Sequence, residues 1–415
     1  MNGYAFIILA ALLVNYTLNL LADIYNLRAL RPVLPQEFVG VYDTEAYRKS
    51  QLYTRAHTQF GLLTSTCMLA ITLGFWFAGG FQSLDHLVRS WGLGEVGTGL
   101  VYIGLLLLGR GLLSLPFSLY ETFVLEARFD FNKTTPATFV TDMLKGLGLA
   151  VVLGGPLLAG ILAFFAYAGT YAWLYCWLAT TVFTLGLQWI APTWIMPLFN
   201  TFTPLEPGAL KETILAYARA VNFAVEDISI IDGSRRSNKS NAFFTGFGKH
   251  KRIALFDTLV AQHTVPELVA VLAHEIGHYK KRHVLTGMAL SIAHMGVMWY
   301  LLAVSLTHPG LFAAFYVEQP SVYTGLIFFG LLYTPVALLL SIGMHIISRK
   351  HEYEADRFAV ETLGSTTAMA SALKKLAVHN LSNLTPHPFY VFLHYSHPPM
   401  LERLRALRQG AVTAV

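Results

Sequence analysis

Charge is what this sequence has least of. Asp, Glu, Lys and Arg make up only 13% of its 415 residues, where a soluble domain carries about 25%. The length would hold two or three ordinary soluble domains, and that deficit excludes them. Cysteine is nearly absent too. Cys67 and Cys176 each lie in an apolar run, so neither a disulfide framework nor a cysteine metal site follows from them. They read as small core residues. A cleavable leader pattern is missing: no Lys or Arg precedes the first apolar stretch, and no small-residue cleavage site follows it before Asp23. That stretch reads as an uncleaved first span. No internal repeat or low-complexity tract is visible.

Apolar residues take the place of charge. They form 54% of the chain, and the mean hydropathy is +0.51, as expected of a chain solvated by lipid. A window of about 19 residues places spans at 4–22, 57–80, 97–119, 143–167, 171–192, 285–307 and 322–347. The expected fold is therefore mainly α and integral to a membrane.

Lys and Arg are sorted among the loops. They gather in 23–56 (Arg28, Arg31, Arg48, Lys49, Arg55), in 120–142 (Arg128, Lys133), in 193–284 and after 347, while 81–96, 168–170 and 308–321 carry Arg89 alone. Positive residues stay on the cytoplasmic side, so the N-terminus is expected outside, with 193–284 and the tail in the cytoplasm. The same distribution argues against nucleic acid as a partner, because the net charge of +5 forms no continuous basic stripe. Arg110 and His294 fall inside spans, where an ionisable group faces a wet interior or a partner. Arg110 reads equally as cavity lining or as paired with a carboxylate; His294 and His345 read as packing histidines.

Four regions follow. Residues 1–192 carry five spans with cytoplasmic loops 23–56 and 120–142; 193–284 form a cytoplasmic segment; 285–347 carry spans six and seven; 348–415 form a cytoplasmic tail. The cytoplasmic segment has soluble-domain grammar. An amphipathic helix is expected over 207–222, then short β-rich runs at Ile228–Ile231, Asn241–Phe247 and Arg252–Phe256, with the basic stretch GSRRSNKS (233–240) between the first two. A long helix follows, its start marked by Thr264 and Glu267 at capping-box spacing and by Pro266 in the first turn.

That helix contains AHEIGHYKKRH at 273–283 and hence H-E-x-x-H at 274–278. Four-residue spacing puts His274 and His278 on one face, able to share a metal, and neutral imidazole is a preferred zinc ligand. Glu275 is angled away from the metal but close enough to take a proton from water there. A metzincin would continue with glycine and histidine where this chain has Lys281 and Val284, so the third ligand comes from elsewhere. SRKHEYEADRFA at 348–359 offers it: Glu352 and Asp356 share a helical face, with Glu352 expected as the third ligand and Asp356 as the carboxylate that orients an imidazole. His351 and Glu354 compete for the ligand role. His283, five residues past His278, points off the metal face and reads as structural. Three protein ligands leave a fourth position for water, the open geometry of a catalytic zinc site, and peptide hydrolysis by Zn2+ with Glu275 as base is the chemistry this set favours.

The chain resembles the type I CAAX prenyl proteases, seven-span zinc metallopeptidases. The likeness rests on SLYETFVLEARFDFNKTT (118–135), RSNKSNAFFTGFGKHKRIALFDTL (236–259), AHEIGHYKKRH, HEYEADRFA and LTPHPFYVFLHYSHPPMLERLRAL (384–407). It implies an α-barrel of seven helices around a large water-filled chamber, closed on the cytoplasmic side by a gluzincin-type zinc domain with a small β-sheet. It further implies that Asn241 and Ala242 belong to an edge strand that pairs with the substrate backbone. His397 and Arg403 would approach the scissile carbonyl and hold the oxyanion. The implied substrates are peptides or proteins, including prenylated C-terminal CAAX peptides, met at the bilayer.

Compact loops and the ending GAVTAV favour a bacterial inner membrane over the endoplasmic reticulum, where the role would be quality control of membrane proteins. The heat-shock-induced membrane zinc proteases share H-E-x-x-H and a later Glu but have fewer upstream spans. A transporter or channel with a structural metal would suit seven spans but not an open site with Glu275 intact. A site-2-type protease would bury H-E-x-x-H in a span, whereas KKRH at 280–283 follows it here.

Overall fold

The structure, a computed structural model, describes residues 1–225, 227–245 and 252–412. Among the described residues, six helices are long and apolar enough to cross a membrane: Gly3–Ala29, Thr44–Phe77, Gly94–Glu126, Pro136–Tyr167, Gly169–Phe199 and His283–Leu306. Four of them contain the stretches read from the sequence; Thr44–Phe77 ends three residues short of the stretch 57–80 and His283–Leu306 one short of 285–307, and several begin before them. Hydropathy marks only the lipid-facing part of a helix, whereas Thr44–Phe77 continues through the polar residues of the preceding loop with Asp43 as its N-cap.

The seventh stretch departs from expectation. Residues 322–347 are two helices, Val322–Leu332 and Thr334–Leu363, bent by 55° at Tyr333. Pro335 explains the break, since it lacks an N–H and clashes with the carbonyl four residues back. His294 meets this bend, its Nε2 lying 2.9 Å from the Tyr333 hydroxyl. His345 packs at the tail, with Nδ1 3.1 Å from the Leu393 carbonyl. Arg110 is exposed and pairs with no carboxylate among the described residues. The two cysteines are free.

One end of the helix assembly is plugged by aromatic packing. Trp76, Phe81, Phe315 and Phe328 are buried together, and the Trp76 indole donates to the Ala314 carbonyl at 2.8 Å. Nearby, buried Asp85 accepts from the Tyr323 hydroxyl at 2.6 Å and from Arg89 Nε at 2.8 Å.

The segment between the fifth and sixth long helices forms a small α/β unit. Four strands, β1 (Phe202–Pro204), β2 (Asp227–Ile231), β3 (Ala242–Thr245) and β4 (Arg252–Phe256), lie in the order β1-β2-β4-β3. β2 and β4 are parallel; β1 and β3 flank them antiparallel. β1 was not anticipated, because three residues ending in proline carry too little pattern to read. Of the run expected over 241–247, residues 246 and 247 lie outside the described residues, as does the middle of the 236–259 block. A core that includes Ile214, Ile228, Ile253, Leu259, Leu268 and Leu272 joins this sheet to helix Ala209–Ala220 and to Val265–Lys280. The latter begins with the expected capping box of Thr264 and Glu267. Glu267 also accepts from Ser371 and Lys375 at 2.6 and 2.8 Å, which ties the helix start to helix Thr367–His379.

Candidate metal centre and peptide cleft

The centre forms where Val265–Lys280 crosses Thr334–Leu363. Gly277 makes the crossing close: a Cβ there would lie 3.1 Å from the Ala355 Cα and from its carbonyl oxygen. Residues three or four apart share a helical face, so the buried stripe Glu352, Ala355, Asp356 and Ala359 meets the face of His274 and His278. One ligand atom each from His274, His278 and Glu352 fall within 4.8 Å of one another. The two Nε2 atoms are 3.2 Å apart, and Glu352 oxygens lie 3.4 Å from His274 Nε2 and 3.3 Å from His278 Nε2.

Outer contacts orient these groups. His274 Nδ1 is 2.8 Å from Asp356 Oδ1, and Arg403 grips the same carboxylate with Nε and Nη2 at 2.8 and 2.6 Å. Arg403 is buried, and its Nη1 reaches within 3.3 Å of Glu352 Oε2. That approach does not meet hydrogen-bond geometry, so the buried Oε2 has no hydrogen-bond partner.

The arrangement fits a cation. The proton on His274 Nδ1 goes to Asp356, leaving the Nε2 lone pair directed at His278 and Glu352. Lone pairs and a carboxylate converging in a buried site repel one another unless something positive lies between them. Burial lowers the His274 pKa, but Asp356 and Glu352 outweigh it and hold the value up at about 9. The pocket thus favours positive charge. Two nitrogens, one oxygen and space for a fourth ligand match a metal of zinc's preferences.

Glu275 sits at the edge of the trio. Burial holds its carboxyl above the ordinary glutamate value, against the pull of His274 and His278. His397 is 65% exposed, with Nε2 3.3 Å from Glu352 Oε1. A cleft of about 310 Å³ is lined by these residues together with Asn241 and Ala242. The structure therefore brings His274, Glu275, His278, Glu352, Asn241, Ala242, His397 and Arg403 to one cleft, with Asp356 against the outer nitrogen of His274.

The competitors for the third ligand are also placed. Glu354 Oε2 lies 2.9 Å from His283 Nε2, and His351 stacks on His283 with ring centroids 3.9 Å apart. His283 itself is 3.1 Å from His278, Nδ1 to Nδ1. His283 thus lies off the face that His274 and His278 turn to the centre and meets the outer nitrogen of His278. A turn at Arg282 (φ 60°) reverses the chain and carries it back, which five-residue spacing along one helix could not show.

The cleft wall is the outer edge of β3, which pairs with no further strand among the described residues. Ala242 pairs with Leu255, and the Asn241 carbonyl accepts from Phe256 N–H at 3.2 Å. Hydrogen-bonded positions alternate along an antiparallel pair, so the Ala242 N–H and C=O face away from β4. Asn241 Oδ1 accepts that N–H at 2.8 Å.

The segment leading into this edge is clamped by residues that no motif marked. The Asn380 amide accepts from Ser240 N–H at 3.0 Å and donates to its carbonyl at 3.2 Å. Arg236 forks onto Asp142 at 2.7 and 3.0 Å and donates to the Phe199 carbonyl. Lys239 reaches Glu126 at 3.1 Å, and Glu126 also accepts from Tyr53 at 2.7 Å. The basic stretch 233–240 is thus a fastener to the membrane helices. In the sequence its only signal was positive charge.

A second cavity of about 320 Å³ starts at the same Glu275 and His278 and continues along Val284, Leu290, Met344 and Ile347.

Known proteins share this architecture. The family model described as CAAX prenyl protease N-terminal, five membrane helices, matches residues 23–201, and that of peptidase family M48 matches 204–411. The chain is 37% identical over 410 residues to CAAX prenyl protease 1 homolog of Arabidopsis thaliana, covering 95% of each. It is 37% identical over 404 residues to CAAX prenyl protease 1 of Saccharomyces cerevisiae, covering 91% of this chain and 88% of that one. Among solved structures, the crystal structure of S. mikatae Ste24p superposes with a TM-score of 0.91 at 36% identity, over 98% of this chain and 99% of that one.

Proposed function

Because the chain belongs to the CAAX prenyl proteases of peptidase family M48, we propose that it is a membrane zinc endopeptidase that removes the C-terminal tripeptide from prenylated CAAX peptides. The carrying observation is the convergence of His274, His278 and Glu352 beside Glu275, in a cleft bordered by the free edge of β3. The distribution of Lys and Arg supports an active site on the cytoplasmic side.

His274, His278 and Glu352 would hold zinc, which when bound polarises the scissile carbonyl and makes water acidic enough to be deprotonated near neutrality. The chain's own groups supply the rest. An extended peptide adds to β3 as a further strand, its backbone carbonyl replacing Asn241 Oδ1 on the Ala242 N–H. Glu275, buried and therefore basic for a carboxylate, takes a proton from the attacking water and returns it to the leaving amine. His397 faces the cleft and donates to the oxygen on which negative charge develops. Arg403 is committed to Asp356 and Glu352, and supports the oxyanion through the charge it sets behind the ligands. The apolar cavity beginning at Glu275 and His278 suits a prenyl chain next to the scissile bond.

The test is cleavage of a fluorogenic farnesylated CAAX peptide by purified protein in detergent. Samples with chelator, with chelator and restored zinc, and with Glu275→Gln run in parallel. Zinc-dependent cleavage beside the modified cysteine, absent in Glu275→Gln, is expected. Cleavage of unmodified peptides alone would remove the prenyl specificity, and no cleavage of any peptide despite bound zinc would remove the enzyme.

A further inference from the structure

We propose that Glu354, acting through His283, is a positioning residue for His278, giving the second histidine of the pair its own carboxylate anchor. The inference rests on the proposed metal site and extends it.

The argument is about where protons can sit. His278 Nε2 faces the centre, 3.2 Å from His274 Nε2 and 3.3 Å from Glu352 Oε1. To be a ligand it must present a lone pair there, so a neutral His278 carries its proton on Nδ1. That nitrogen is 3.1 Å from His283 Nδ1. Two ring nitrogens at this distance share one proton, so His283 accepts through Nδ1 and holds its own proton on Nε2. There it donates to Glu354 Oε2 at 2.9 Å. The opposite polarity would put a proton on His278 Nε2, in the metal's place, and aim a lone pair of His283 at the Glu354 carboxylate. Glu354 accepts only, and so selects the polarity that leaves His278 free to bind.

Packing fixes the intermediate ring. His283 is buried and lies face to face with His351, the planes 7° apart. It cannot turn without breaking that stack. Among the described residues Glu354 forms one other ion pair, its Oε1 lying 3.8 Å from Lys350, which leaves its Oε2 to His283. In HEYEAD the three carboxylates then divide the work. Glu352 is the ligand, Asp356 orients His274 directly, and Glu354 orients His278 through one intervening ring. Outer partners of metal-bound histidines are typically worth 10–100-fold in metal affinity.

The experiment measures zinc dissociation constants by competition with a chromogenic chelator, on full-length protein in detergent. Wild type is compared with Glu354→Ala, Glu354→Gln, His283→Phe and the control Glu361→Ala, an exposed position on the same helix. Glu354→Ala is expected to weaken zinc binding by about tenfold or more. Glu354→Gln offers His283 Nε2 a donor as well as an acceptor, so it no longer selects the polarity and is expected to weaken zinc binding, though less than Glu354→Ala. His283→Phe keeps the stack but not the acceptor, and Glu354→Ala added to it lowers affinity no further. The control matches wild type. Melting curves of the zinc-free proteins coincide, separating a positioning role from a folding one.

Tight zinc binding by wild type with unchanged affinity in Glu354→Ala overturns the relay alone. So does a glutamine variant as tight as wild type, or an affinity loss that follows the zinc-free melting temperature. A wild type that binds no zinc overturns the metal reading and the relay with it.

Discussion

Gly277 lies against Ala355 so closely that a methyl group on it would sit 3.1 Å from the Ala355 Cα and carbonyl oxygen. This contact sets the distance between the helix that carries the two histidines and the helix that carries Glu352. Gly277→Ala must push backbone against backbone, with the Phe358 ring also only 3.2 Å away. Overpacking of this kind typically costs about 1–3 kcal/mol. The expected result is a lower melting temperature together with weaker zinc binding, measured on the same preparation. Unchanged zinc affinity would separate the crossing distance from the metal site.

Arg403 and Asp356 form a buried pair at 2.6 and 2.8 Å. Arg403→Met removes the cation and leaves the carboxylate buried against Glu352. Breaking such a pair typically costs about 3–5 kcal/mol. Asp356→Asn spares more stability but removes the anionic acceptor for His274 Nδ1. It should weaken zinc by about 10–100-fold. Chelator competition and thermal melts distinguish the two outcomes, since only the first variant should lose most of its folded protein.

The raised carboxyl of Glu275 predicts the acid limb of the pH–rate profile. A proton acceptor works only when ionised, so kcat/KM should fall as pH drops through its pKa. Burial places that limb above the ordinary glutamate value of 4.5. Glu275→Gln should lower the rate by about 10²–10⁴-fold and leave the residual activity without this limb. A limb at or below pH 4.5, or one that survives in Glu275→Gln, would assign the base elsewhere.

Asn380 holds both backbone groups of Ser240, immediately before the strand edge at Asn241 and Ala242. Loss of two such hydrogen bonds is worth about 1–3 kcal/mol. In Asn380→Ala that should appear as an increase in KM for peptide of about tenfold, with kcat and zinc affinity nearly unchanged. Steady-state kinetics checks it; a fall in kcat alone would place Asn380 in the chemistry.

Much of this site was legible because its parts obey local periodicity. His274 and His278 share a face through four-residue spacing. Glu352 and Asp356 do the same, and Thr264 with Glu267 marks the helix start. Each of these relations lies within one turn of helix, where sequence spacing is distance. The six long membrane helices were legible for a similar reason, since lipid demands an unbroken apolar run whatever the helix packs against.

Other features had no local signature. His283 was set aside because five-residue spacing turns a side chain off the metal face; the chain reversal at Arg282 returns it to His278, and Glu354 meets it from a helix 71 residues away. Asn380 reaches Ser240 across 140 positions. Arg236 reaches Asp142 across 94. Nothing in a stretch of sequence distinguishes such an amide or guanidinium from one that faces water.

By itself, the sequence determined the membrane class, the ligand pair with its base, and the two carboxylates that could complete it, because helical pitch and lipid solvation act on neighbours in the chain. Only the tertiary structure decided which of these side chains meet: Glu352 with His274 and His278, Asp356 with the outer nitrogen of His274, and Glu354 with His283. That choice depends on how nearly two helices approach at Gly277 and Ala355, and hydrogen bonds form over a few ångströms of space, however many residues of chain lie between.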